Sequence, residues 1–176
     1  KEGRIAIAGY FEGAVNGSLE GQAKFQYETV ASTRDKRNDR TEDIFVALYD
    51  DRGKLDWVKT AGSIYSDRAQ AITFDDEGYI YCTGYFMDTL AVDEFGLKTK
   101  GINKDVFVAK MSPKGELEWL ERAGSEKDDQ GTAVITDNKG NAIITGDFEG
   151  YALFGRKRVY SMGVNNFFLA KVVEPD

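Results

Sequence analysis

Histidine is absent from this chain of 176 residues, and cysteine occurs once. The first absence removes Ser–His and Cys–His nucleophilic machinery. Together the two remove the common transition-metal sites, which need imidazoles or paired thiolates. A lone Cys82 cannot close an internal disulfide. No apolar stretch reaches the length of about 18 residues that a membrane-spanning helix needs. Positive charge is also scarce, with 23 Lys and Arg against 30 Asp and Glu and a net charge of −7. A nucleic-acid partner, which requires a basic groove, is therefore not expected. No window of 11 residues carries a convincing helical stripe.

What the chain does have is repetition at a spacing of 62 residues. Asp43-Ile44-Phe45-Val46-Ala47 returns as Asp105-Val106-Phe107-Val108-Ala109, and Gly53-Lys54-Leu55-Asp56-Trp57 returns as Gly115-Glu116-Leu117-Glu118-Trp119. Of the 21 positions from 43 to 63, 10 are identical in the copy. A fixed period of this size marks an array of one supersecondary unit. Four short strands per unit are predicted: a (68–74, 130–136), b (4–11, 79–86, 141–148), c (43–49, 105–111, 166–173) and d (54–60, 116–121). They are rich in Val, Ile, Phe, Tyr and Trp and bounded by Gly and Asp. Strand b is apolar on both faces, so it must lie between two layers.

The run D-x-F-V-A-K, G-x-L-x-W, A-G-S, D-x-x-G and T-G-x-F resembles the bacterial SBBP-type β-propeller repeat, over nearly the whole chain except residues 20–40. The fold class expected is all-β, with propeller-type blades of four antiparallel strands in an incomplete ring. A single domain is expected over 1–176, with units at about 1–67, 68–129 and 130–176. Two and a half units cannot close a ring of four to eight blades. The chain opens at Lys1 inside a repeat, without a signal-peptide pattern. The favoured expectation is a module of a longer polypeptide; a protomer that completes a ring by association and an open stack are the alternatives.

The resemblance implies a non-catalytic interaction module of a secreted or cell-surface bacterial protein, with association to the outer membrane as one form of that location. Its partner would be a protein or glycan, together with the remaining blades or further copies of the chain. The alternatives are a carbohydrate-binding module and a carboxylate-based, glycan-active enzyme part. For the latter, Asp147 and the pair Asp93 and Glu94 depart from the repeat. No catalytic residue, cofactor or metal is assigned. Asp50, Asp75 and Asp137 precede glycines in links too short for a calcium loop, and are read as turn residues. Cys82 aligns with Ile7 and Ile144 and is read as core. Trp57 and Trp119 share one repeat position and are read as architectural. Arg156-Lys157-Arg158 is read as an exposed turn.

The first unit carries about 13 more residues between b and c than the others. Within this surplus, Lys24 to Val30 alternates like an exposed strand, and a charged run follows. The expected partner-binding residues are Phe25, Tyr27, Arg34, Lys36, Arg37 and Arg40. Because two units lack this stretch, removing 24–36 is expected to leave the sheets folded.

Overall fold

The computed structural model describes residues 3–12, 22–32 and 41–174. Among them every regular element is a strand: β1 (Ile5–Glu12), β2 (Gln22–Phe25), β3 (Glu28–Ala31), β4 (Glu42–Tyr49), β5 (Leu55–Ala61), β6 (Arg68–Phe74), β7 (Ile80–Met87), β8 (Thr89–Val92), β9 (Phe95–Lys98), β10 (Lys104–Met111), β11 (Leu117–Gly124), β12 (Asp129–Thr136), β13 (Ala142–Phe154) and β14 (Lys157–Val172). The fold is all-β. The strands predicted as a, b, c and d fall on observed strands, with ends shifted by a few residues. The third c strand differs more, since β14 begins nine residues before Asn166.

Three antiparallel layers follow one another. The first has the order β1-β4-β5, the second β6-β7-β10-β11, and the third β12-β13-β14. The expected sheets end at strand d, but here hydrogen bonding runs on. β13 extends past a bulge at Glu149/Tyr151, and its far end pairs with β11 (Ala123 opposite Phe154, Gly124 opposite Leu153). The second and third layers thereby join into one seven-stranded sheet. That sheet curls until its end strands β6 and β12 lie against each other, a nearly closed barrel.

Two apolar cores lie between the layers. In one, Ile44, Val46 and Leu48 of the first layer meet Ile80, Cys82, Phe86, Phe107, Ala109 and Met111 of the second. In the other, Tyr81, Val106, Val108 and Trp119 meet Val134, Ala142, Ile144, Phe148 and Phe168 of the third. Alternate residues of β7 and β10 serve opposite cores, because successive side chains on a strand point to opposite faces. This accounts for strands that are apolar on both sides.

The connection from b to c holds a hairpin in every layer, which the strand pattern did not predict. Residues 22–31, 89–98 and 151–160 each form two four-residue arms about a two-residue turn. The first turn residues, Gln26 (φ 51°), Asp93 (φ 51°) and Gly155 (φ 59°), all take the left-handed conformation that such turns require. Residues 22–31 are thus the counterpart of hairpins in the other layers. By this register the surplus of the first unit falls on either side of the hairpin, which corrects the placing of Lys24 to Val30 within it.

Candidate functional site

The joints between layers are built twice on the same parts. Asp67 accepts backbone N–H bonds from Ser63 (2.6 Å) and Met87 (2.8 Å). Asp129, 62 residues on, accepts them from Ser125 (2.7 Å) and Glu149 (3.3 Å). Each carboxylate ties the end of a d strand to the end of the following b strand. Beside it lies a second buried acid, Asp43 at the first joint and Asp105 at the second. Asp105 is held by Arg122 at 2.7 Å. Gly62 and Gly124 make room for these acids. A Cβ on Gly124 would stand 2.3 Å from Asp105 Oδ1, and one on Gly62 2.4 Å from the Asp43 carboxylate. Burial pushes the carboxyls of Asp67 and Asp129 up to about 7 and that of Asp105 up to about 6. The repeat of all five parts at both joints marks them as couplings between layers.

The two tryptophans also serve the joints. Trp57 donates from Nε1 to the Pro113 carbonyl (3.1 Å) and lies on Gly115, in the turn of the next layer. Trp119 is buried and meets Tyr81 edge-on, ring centroids 6.1 Å apart. Cys82 is buried in the first core, where burial pushes its thiol up to about 12. Asp50 accepts the backbone N–H groups of Arg52 and Lys54, Asp75 those of Glu77 and Tyr79, and Asp137 those of Lys139 and Asn141. Among the described residues no group of three or more acids and thiols is arranged to hold a metal ion. The carboxylates that depart from the repeat lie on different elements. Asp147 in β13 accepts from Gln130, whereas Asp93 and Glu94 form the β8–β9 turn, with Asp93 paired to Lys59.

Of the expected partner-binding residues, Phe25 and Tyr27 are described and Arg34, Lys36, Arg37 and Arg40 lie outside the described residues. Phe25 packs on Phe45, ring centroids 4.8 Å apart. Gln26 and Tyr27 donate to the carbonyls of Gly53 and Leu55, and Gln26 accepts from the Leu55 N–H. The hairpin therefore lies across the first layer, over Phe45 and Leu55. The equivalent positions of the second layer, Phe107 and Leu117, are covered by the first layer. The hairpin supplies part of the cover that a preceding layer would give.

Sequence reasoning missed the surface at the other end. The outward face of β14 shows Phe167 (83% exposed) and Leu169 (74%), and Val173 (65%) follows just past its end. Phe167 and Leu169 align with Val106 and Val108, which are fully buried against the third layer. The alternation in Phe167-Phe168-Leu169-Ala170 carried this signal, since both faces of the strand are apolar. A groove of about 860 Å³ runs along the strand, lined by Phe148, Phe154, Phe167, Phe168, Leu169 and Ala170 among others. Tyr160 and Met162, also exposed, border it. Among the described residues no helix is long and apolar enough to cross a membrane. No protein-family model matches this chain, and no characterised protein is detectably similar to it in sequence.

Proposed function

We propose that this chain is a non-catalytic, propeller-type interaction module of a secreted or cell-surface bacterial protein, and that it binds a protein partner through its third layer. The blade reading is supported by the antiparallel order β6-β7-β10-β11, by the stacking of successive layers, and by the duplicated aspartate joints. The compartment rests on the repeat resemblance alone. The observation that carries the binding role is the bare apolar face of β14. Monomeric proteins rarely leave contiguous apolar surface open, and such patches mark interaction sites.

Photo-crosslinking from position 167 or 169 on intact cells, followed by binding of the purified captured protein, tests this reading. Saturable binding that Phe167→Asp abolishes supports it. A glycan array provides the opposing arm. Sugar binding that is lost with Tyr160→Ala and retained with Phe167→Asp would move the partner class to carbohydrate. Release of a hydrolysis product from any arrayed glycan would overturn the non-catalytic assignment.

A further inference from the structure

The outer edge of β14 pairs with no strand among the described residues, yet the same edge is filled in both other layers. β5 runs along β4 with Leu55 opposite Tyr49, Trp57 opposite Leu48, Val58 opposite Ala47 and Ala61 opposite Ile44. β11 runs along β10 with Leu117 opposite Met111, Trp119 opposite Lys110, Leu120 opposite Ala109 and Ala123 opposite Val106. Both fillers read Leu-x-Trp, then Val or Leu, two variable residues, and Ala-Gly. The receiving strands agree as well, since Phe168, Ala170 and Lys171 repeat Phe107, Ala109 and Lys110. The groove follows this vacant edge.

We infer that the edge of β14 is a receptor for an extended segment of this pattern, added as an antiparallel strand. The inference rests on reading the three layers as successive copies of one unit. Backbone hydrogen bonds along the edge supply affinity, and alternate side chains set the register. The incoming Trp stands opposite Lys171. The apolar residue after it stands opposite Ala170, the place that Leu120 holds over Ala109. The residue before the Ala then decides between candidate segments. In the second layer it is Arg122, which pairs with Asp105. In the third layer the Asp105 position is occupied by Asn166, so an arginine gains no ion pair there. A neutral residue such as Thr60 loses nothing. A segment like residues 53–62 should therefore bind better than one like 115–124.

The experiment titrates the intact 176-residue chain with a fluorescent peptide of sequence Gly-Lys-Leu-Asp-Trp-Val-Lys-Thr-Ala-Gly, its scrambled form, and the 115–124 peptide. The expected result is saturable binding of the first, at least tenfold weaker binding of the other two, and new hydrogen-exchange protection confined to β14. Phe167→Asp and Leu169→Asp, both at exposed positions, should weaken binding by about tenfold while melting like the parent chain. No binding up to roughly 1 mM peptide, the edge of measurable affinity, overturns the inference. So does protection elsewhere than β14, or equal binding of the scrambled peptide. A concentration-dependent dimer that the peptide does not dissociate would assign the face to a second copy instead. Failure of the layered reading itself would appear separately, as unchanged stability in Trp119→Ala.

Discussion

The two outward faces of the stack match in sequence pattern and differ in treatment. On the first layer, Ile5 (53% exposed) and Ile7 (39%) align with Ile80 and Cys82, which are buried against a neighbouring layer. Part of that first face is nevertheless closed, because the 22–31 hairpin lies over Phe45 and Leu55. On the third layer the equivalent hairpin, 151–160, is engaged with β11 and leaves Phe167 and Leu169 bare. Stacked repeat units stay soluble when the terminal ones present a polar outer face. Among the described residues, the first layer has a partial cover from its own chain and the third has none. What a repeated unit exposes thus depends on its place in the stack as much as on its sequence.

The largest effects should come from residues that lie between layers. Trp119→Ala and Phe86→Ala should each cost about 3–5 kcal/mol in urea unfolding, as for large buried aromatics. Phe167→Ala should stay within about 0.5 kcal/mol, as for a free surface position. If Trp119→Ala unfolds at the parent's urea midpoint but loses a binding response, the tryptophan belongs to a ligand site and the contrast between inner and outer faces fails.

A smaller effect should mark the capped end. Phe25→Ala should lower stability by about 1–2 kcal/mol, below the value for full burial because the ring is half-buried. Deletion of 22–31 should lower the melting temperature further and increase binding of a hydrophobic dye. A deletion variant that melts with the parent would make the hairpin a free loop and remove the distinction between the ends.

The joints should reveal themselves through pH. Unfolded aspartates ionise near 3.8, whereas burial raises Asp67 and Asp129 to about 7 and Asp105 to about 6. Between about pH 4 and 7 the folded chain holds protons that the unfolded chain has released. Unfolding in that window releases protons, so stability falls as pH rises through it and levels off above 7. Below that window Asp137, held under the usual range by Lys171, acts in the opposite sense. Melting temperatures across pH 4–8 test the sign, and Asp67→Asn should flatten the slope. A melting temperature that climbs steadily from pH 4 to 8 would refute the burial effect.

The smallest change is expected from calcium. Asp50, Asp75 and Asp137 already accept backbone N–H bonds in their own turns. Millimolar calcium should leave the melting temperature where it was, since only an ion bound to the native state shifts it. A rise of several degrees would turn these links into sites.

The period of 62 and the alternation of apolar residues made the strands legible before any coordinates. They also placed Cys82 in the core, because Ile7 and Ile144 share its slot. The short hairpins were not legible. Their arms are four residues long, and only the second, fourth and ninth positions stay apolar: Ala23, Phe25 and Val30; Leu90, Val92 and Leu97; Ala152, Phe154 and Val159. The aspartate joints were hidden for a different reason. Asp67 and Asp129 read as polar strand boundaries, and nothing local says that a carboxylate there reaches a backbone 20 residues away. The bare face of β14 was overlooked because strand c looks the same in all three units, and exposure depends on which neighbours follow.

The way the second and third hairpins bond to the last strand of the layer before them has a consequence for biosynthesis. Gly62 at the end of β5 bridges to Ala91, and Gly124 at the end of β11 pairs with Leu153. The last strand of a layer pairs with the strand made just before it, but its far end is fastened by residues made about thirty positions later. On a ribosome adding roughly 5–20 residues per second, that is a delay of a few seconds. During it the nascent layer has a loose margin, and each layer is locked as the next emerges. During synthesis the two clasps therefore become available in order, the one at Gly62 before the one at Gly124.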